Sequence, residues 1–314
     1  MGDHLVTVTI LLAAFNGEQY LPAQLDSLAA QRRVDFHVLY QDDGSADGTA
    51  EILQDYSEQD SRFHPGLHPG EHLGPAGNFF SLLRQAEGDY VLFCDQDDLW
   101  EPDKIRTMTE ACRQAEANHP GLPFLVHSDA VIIDGEGRQI APSFFRLEGW
   151  DPKAVHLNQL LVQNNVTGCM MLLNRPLIDL VLRYGHPENM FMHDWFIALT
   201  ASAFGRIIFL DQPLVRYRQH GGNAIGASRS SLLSRGIRAL RDKEKAAARV
   251  ELTYTHTQAF LDAFGDSLPP EAHELIVSYL ATRSLPKLER IRSIRRLGCL
   301  MQSPVTRLGQ YLFG

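Results

Sequence analysis

Asp95-Gln96-Asp97-Asp98 sets three carboxylates within four residues, at the exit of the apolar run Tyr90–Cys94. Unpaired, they repel one another, so the arrangement calls for a cation. Hard oxygen donors suit Mg²⁺ or Mn²⁺, ions that often bridge protein carboxylates and substrate phosphates. The plainer alternative is an acidic turn that caps the helix opened by Pro102. A second acidic stretch, Asp42-Asp43-Gly44-Ser45-Ala46-Asp47-Gly48-Thr49, follows the short run Phe36–Tyr40. An Asp there can accept hydrogen bonds from a base or ribose, and Gly44-Ser45 allows a tight turn into a helix. Asp47 reads as a cap. A third acid, Asp194, stands near the start of the helical pattern His193–Phe204. A carboxylate at that place commonly caps the helix.

These acids need strands and helices to hold them. Val6–Phe15 is a continuous apolar run, as in a strand buried on both faces of a parallel sheet. Further strands are expected at Phe36–Tyr40, Tyr90–Cys94, Phe124–Ile133, Val166–Leu173, Ile207–Leu210 and Leu214–Arg218. Helices are expected at Glu18–Gln31, Ala46–Tyr56, Asn78–Gln85, Pro102–Glu116, Leu157–Gln163 and His193–Phe204, and Gly135–Gly149 reads as loops. Such alternation predicts an α/β fold with a mostly parallel sheet flanked by helices. Ligands of such sheets bind outside the carboxyl ends of the strands, where both acidic stretches lie.

From Ser228 onward helices dominate: Ser231–Arg241, Lys243–Phe264, Glu271–Arg283 and Leu285–Leu300. The expected division is a catalytic domain over 1–227 and a helical extension over 228–314. Of the 314 residues, 29 are Lys or Arg and 38 are Asp or Glu, a net charge of −9. A basic nucleic-acid binder is thereby excluded as a whole-chain reading. The charge is unevenly placed, because residues 229–314 carry 14 basic and 8 acidic residues. Cys94, Cys112, Cys169 and Cys299 form no C-x-x-C pair and read as isolated, buried thiols of a reducing compartment. No apolar run reaches the roughly 20 residues that span a bilayer, and residues 1–15 make a poor signal peptide. A cytoplasmic protein is expected, free or lying on a membrane.

No G-x-G-x-x-G follows the first run and no G-x-x-x-x-G-K-[ST] occurs, which disfavours a dinucleotide-binding Rossmann unit and a P-loop. Haloacid-dehalogenase-like phosphatases use D-x-D with Thr or Val two residues on, early in the chain. Here Asp98 and Leu99 follow Asp97, far from the start. Taken in order, the motifs instead resemble the family 2 glycosyltransferases of the GT-A type, over residues 5–225. The elements are Ala13-Ala14-Phe15-Asn16-Gly17-Glu18 after the first strand, Asp42-Asp43-Gly44-Ser45, Gly74-Pro75-Ala76-Gly77-Asn78, and the D-x-D at Asp95. Trp100, Pro102, Lys104-Ile105, Met192-His193-Asp194-Trp195 and Tyr217-Arg218-Gln219-His220-Gly221-Gly222-Asn223 look like the rhamnosyltransferase-like branch.

That resemblance implies an inverting transferase that moves a sugar, typically L-rhamnose from dTDP-L-rhamnose, to a bacterial surface glycan or lipid-linked acceptor. It implies Asp97, Asp95 and His220 around a divalent ion, with a solvated loop as the alternative for His220. Ala14, Phe15, Asn16, Glu18, Asp42, Asp43, Asn78, Asp95, Gln96 and Arg218 would meet the nucleotide-sugar, Phe15 by stacking on the base. Asp194 would be the base. Trp195 is open to sugar stacking or to the core, and Asn165, Thr167 and Gly168 would line an acceptor pocket.

Two rivals remain. A sugar-phosphate nucleotidyltransferase would carry a Gly-rich basic loop where Asn16-Gly17-Glu18-Gln19 stands. A non-catalytic nucleotide- or carbohydrate-binding scaffold would not need Asp97 and Asp194 together. Leu288, Ile291, Ile294, Leu297 and Leu300 fall on one helical stripe, with Arg292, Arg295 and Arg296 outside it. That basic helix fits an anionic membrane, a homo-oligomer contact or packing on the catalytic body.

Overall fold

The structure, a computed structural model, describes residues 6–68, 70–184, 192–220 and 243–313. The expected helix Ser231–Arg241, the loop Gly221-Gly222-Asn223 and the boundary at residue 227 lie outside them.

Strand β1 (Val8–Ala14) runs between β2 (Phe36–Asp42) and β4 (Tyr90–Asp95), parallel to both, and β2 pairs in parallel with the short β3 (Phe63–Pro65). These strands are apolar because both faces are covered. Val8, Ile10 and Leu12 point into one core and Leu11 into the other, the period of two that a pleated strand imposes. Helices α1 (Leu21–Ala29), α2 (Thr49–Gln59) and α4 (Lys104–Asn118) cover the first face. The second takes α3 (Gly74–Leu83), α7 (Arg175–Tyr184) and α8 (His193–Phe204).

The sheet is mostly parallel, as expected, and turns mixed beyond β4. β8 (Met171–Asn174) enters antiparallel to both β4 and β6 (Phe124–Ile133), while β9 (Arg206–Arg218) lies parallel to β6. The sheet order is β3-β2-β1-β4-β8-β6-β9-β5, with β5 at Leu99–Trp100 and β7 (Gln139–Ala141) paired to β6. The two strands expected at 207–210 and 214–218 are one strand whose register breaks opposite Ser128/Asp129. Pro213 sits at that break, where its missing N–H removes a ladder bond. The strand expected from Val166 starts only at Met171, after a 3₁₀ turn over Gly168–Met170. Short helices α5 (Phe144–Glu148) and α6 (Leu157–Leu160) complete the middle of the chain.

The C-terminal helices are α9 (Lys243–Phe264), α10 (Pro270–Ala281), α11 (Lys287–Leu297) and α12 (Pro304–Phe313). Their buried residues Tyr254, Phe260, Ile276, Tyr279 and Ile294 belong to the same core as Leu11, Phe93 and Phe196. The C-terminal helices thus pack outside α8 and share the core on the second face of the sheet. No helix among the described residues is long and apolar enough to cross a membrane.

Candidate active site

The ends of β1, β2 and β4 meet in a set of stitched loops. Asn16, at φ 49°, adopts the left-handed conformation that Asn tolerates better than most residues. Its N–H donates to Ser45 Oγ (2.8 Å), and its side-chain oxygen accepts from Ala46 N–H (2.9 Å). Gly17 N–H donates to Thr49 Oγ1 and the Glu18 carboxylate accepts from Gly48 N–H, both at 2.8 Å. Ala14 O accepts from Asp43 N–H. Gln96 clamps the backbone of Phe15 from both sides: Phe15 N–H donates to Oε1 (2.6 Å) and Nε2 donates to Phe15 O (2.8 Å). A β-carbon at Gly17 would lie 2.3 Å from Gln96 Oε1, so this clamp needs glycine. The Phe15 ring is left 43% exposed, 5.2 Å from the ring of His72. An exposed aromatic held by its backbone is a stacking platform.

Several expected nucleotide contacts are occupied by the protein itself. Asp42 accepts from Gly44 and Ser45 N–H and from the Ser45 hydroxyl. Asp43 is buried and accepts from Leu73 N–H (2.6 Å) and Gly74 N–H (3.0 Å), with His72 Nδ1 at 3.1 Å. It ties the end of β2 to the start of α3. Asn78, also buried, donates to Gln41 O (3.3 Å). Asp42, Asp43, Asn78 and Gln96 thus hold together the loops that form the platform.

The second acidic cluster is built differently. Asp98 is buried; one oxygen accepts from Arg218 N–H (3.0 Å), and Oδ2 has no hydrogen-bond partner. Burial pushes its pKa well up, and the charges of Asp97 and Asp95 add to that. Asp95 is raised for the same first cause, then by Asp97 and Asp194. Asp97 meets His220, whose Nε2 lies 2.8 Å from Oδ2, and the His220 ring packs 4.8 Å from that of Tyr20. Arg218 is buried too. Its guanidinium donates to the carbonyls of Asp97, Asp134 and Gly135 and lies over Tyr20, which ties the end of β9 to the second acidic cluster.

A fully buried lysine stands beside these acids. Lys104 Nζ donates to Cys169 O (2.5 Å) and lies 3.4 Å above the Trp100 ring. Burial lowers its pKa to about 8, against the charges of Cys169, Cys94, Asp98 and Asp95. No role for Lys104 was read from the sequence, although a signal existed. Lys104 is in helical phase with buried Met108 and Cys112, on the face of α4 that should be apolar. Cys169 was missed as well: its thiol, with Asp95 and Asp98, offers ligand atoms within 4.8 Å of one another. Burial and the two carboxylates push that thiol up, which keeps it protonated and leaves the carboxylates as the better donors. The orphaned Asp98 Oδ2 and the hard oxygens of Asp95 and Asp97 fit a divalent cation.

Asp194 occupies the first turn of α8 and is 9% exposed. Burial raises its pKa to about 7, opposed by backbone N–H groups of Trp195 and Gly168. A β-carbon at Gly168 would lie 3.9 Å from Asp194 Cβ, and the next residue, Cys169, has its thiol within 4.8 Å of ligand atoms of Asp95 and Asp98, so the third acid stands beside the second cluster. Gly168 is confined: the same β-carbon would lie 2.9 Å from His193 Nε2. His193 packs between Phe79 and Phe93, and burial lowers its pKa to about 3, so it is a neutral wall behind Asp194. Trp195 is a core residue: its indole N–H donates to Leu160 O (2.6 Å), and His256 packs 4.5 Å from its ring. Asn165 is likewise buried, donating to the carbonyls of Asp151 and Ala154. Trp195 and Asn165 thus pack in the interior, while Thr167 stays half-exposed beside Gly168.

A mixed, helix-covered sheet with its acids gathered at the strand exits is the GT-A architecture of nucleotide-sugar transferases. Residues 9–181 match "Glycosyl transferase family 2", more than half of the chain, and the chain belongs to that family. An uncharacterised protein of Mycobacterium tuberculosis is 26% identical over 216 residues, 68% of this chain but 59% of the relative. The chain thus spans less than two thirds of that relative's length. The dTDP-rhamnosyl transferase RfbG of Shigella flexneri is 26% identical over 230 residues, 69% of this chain and 74% of that one. Among solved structures, S. aureus TarS 1-349 in complex with UDP-GlcNAc aligns with a TM-score of 0.58 at 18% identity, over 98% of this chain and 87% of that one. The Pyrobaculum calidifontis mannosyltransferase PcManGT, in complex with GDP-Man and Mn²⁺, aligns at 0.53 and 16% identity, over 93% and 72%.

Proposed function

We propose that this transferase is inverting and divalent-metal-dependent, and moves L-rhamnose from dTDP-L-rhamnose to a glycan or lipid-linked glycan acceptor of a bacterial surface polysaccharide. The observation that supports the transfer chemistry is the placement of Asp194, a buried carboxylate with its pKa raised to about 7, next to the Gly168-Cys169 segment that also borders Asp95 and Asp98. A base poised near neutral pH suits removal of a proton from a sugar hydroxyl. The rhamnosyl donor is supported by the likeness to RfbG and by the Asp95–Lys104 and Met192–Trp195 motifs.

In this reading Phe15 stacks on the base, with its backbone fixed by Gln96. Asp95 and Asp97 hold the divalent ion, with His220 orienting Asp97. When bound, that ion supplies positive charge to the departing nucleoside diphosphate. Asp194 accepts the acceptor hydroxyl proton as the new C–O bond forms at the anomeric carbon and the bond to the diphosphate breaks on the opposite face. From a β-linked donor, inversion gives an α-L-rhamnoside. His193 and Phe93 wall off Asp194 from water on one side.

The test is donor hydrolysis across dTDP-, UDP- and GDP-sugars with Mn²⁺ or Mg²⁺, read without an acceptor. Turnover of dTDP-L-rhamnose above the others is expected; preference for a UDP- or GDP-sugar would replace the donor. Titrating dTDP with Mn²⁺ present into wild type and Asp97→Ala tests the metal bridge. Unchanged affinity in the variant would sink it.

A further inference from the structure

The arginines of α11 and the exposed leucines beside them form a surface that the transfer reaction does not use. The sequence stripe Leu288, Ile291, Ile294, Leu297 divides in the fold: Ile294 is 2% exposed and holds the helix to the core, whereas Leu288 is 70% exposed. At 100° per residue, Arg292 and Arg295 fall within about 40° of Leu288, and Arg296 within about 80°. All three arginines are exposed. Among the described residues none of them has a carboxylate at salt-bridge distance, in contrast to Arg283, which pairs with Glu251. Glu289 is the single acidic residue of the helix. The first turn of α11 abuts the end of α12, because Lys287 Nζ reaches Leu312 O (3.5 Å). Leu308 and Leu312, one helical turn apart, are each 43% exposed. Three exposed leucines and three arginines without a carboxylate partner among the described residues thus lie on two helices whose ends meet.

We propose that this face, Leu288, Leu308 and Leu312 with Arg292, Arg295 and Arg296, docks the enzyme on an anionic phospholipid surface. Leucines of this kind enter the headgroup boundary while arginines meet the phosphates. Charge complementarity selects the lipid surface over a second copy of the chain, because pairing this face with itself would set arginines against arginines. The inference stands apart from the choice of donor sugar, since nothing in it involves Asp97 or Asp194.

Co-sedimentation of the full chain with phosphatidylcholine vesicles, with and without about 30 mol% phosphatidylglycerol, tests it. Binding is expected only with the anionic lipid, and most of it should be lost at about 0.5 M salt. Each arginine-to-glutamine change should weaken binding about fivefold, and the triple Arg292→Gln, Arg295→Gln, Arg296→Gln variant about a hundredfold. Leu288→Ser with Leu312→Ser should weaken binding while leaving its salt dependence in place. All these positions are exposed, and an unchanged circular-dichroism melt serves as the folding control. Equal binding to neutral vesicles, or a triple variant that binds like wild type, overturns the proposal. So does a dimer in sedimentation velocity that the triple variant dissociates, because the face then pairs copies of the chain.

Discussion

Two acidic loops leave neighbouring strands of one sheet, and they have opposite electrostatics. In the loop after β2, Asp42, Asp43 and Asp47 accept backbone N–H groups or hydroxyls on nearly every oxygen. At the exit of β4, Asp98 keeps an orphan oxygen and Asp95 and Asp98 have raised pKa values. The residue types are the same, so composition does not separate the two. What separates them is whether backbone donors turn toward the carboxylates. The first loop is wired as a scaffold. The second gathers carboxyls whose ionisation is opposed by burial and by one another, a cost that a bound cation would relieve.

Asp194 belongs with the second cluster, and replacing it gives the largest expected effect. Asp194→Asn should lower kcat on the order of 10²–10⁴-fold while leaving dTDP affinity intact. In wild type, kcat should fall as pH drops below about 7, because the ionised base is lost. Stability runs the other way. A carboxyl whose folded pKa is raised stabilises the fold in its protonated form, and that stability is lost as pH rises from its usual 3.8 through about 7. Asp194→Asn should therefore melt a few degrees higher than wild type at pH 8. A variant that keeps its activity and melts like wild type at pH 8 would move Asp194 out of the cluster.

Much of this division was hidden in the sequence. The strands β1, β2, β4 and β6 were legible because apolar runs on both-faces-buried strands are continuous, and helix α8 was placed to the residue. β3, β5 and β7 were not legible, being two or three residues long. Helices α7 and α12 were passed over. Asp194 standing beside the second cluster could be anticipated only from the family resemblance, since their separation in the chain carries no distance. The backbone contacts of Gln96 and Asn165 were not legible, because a polar side chain at a loop position looks the same in sequence whether it meets a ligand or the backbone. Lys104 was readable in principle, as a charge on an apolar helical face.

The scaffold loop predicts a stability effect instead of a kinetic one. Asp43→Asn replaces a buried acceptor of two N–H groups and should cost about 2–4 kcal/mol in denaturant unfolding. The kcat of the folded fraction should stay within a few-fold of wild type. If kcat collapses with stability unchanged, Asp43 touches the donor directly and the contrast between the loops is wrong.

Lys104 gives a sharper test inside the second cluster. Lys104→Met alone leaves the buried carboxylates without their resident cation and should destabilise by a few kcal/mol. Adding Asp98→Asn should recover part of that loss, with a coupling energy of about 1–3 kcal/mol in the double-mutant cycle. Additive effects would mean that Lys104 only fills space.

The smallest effect is expected at Asp47, which is half-exposed. Burial opposes its ionisation, but hydrogen bonds from the Thr49 hydroxyl and from the N–H groups of Glu18 and Thr49 outweigh it and hold its pKa below the usual value. The stability it contributes is present above about pH 4 and lost as pH falls through the lowered pKa. Solvent screening keeps the contribution of Asp47→Ala to no more than about 1 kcal/mol at pH 7. Wild type and variant should therefore unfold at different urea midpoints at pH 7 and converge near pH 3. A gap that persists at low pH would mean that Asp47 acts through chain geometry, and that its charge contributes nothing to holding β1 against the start of α2.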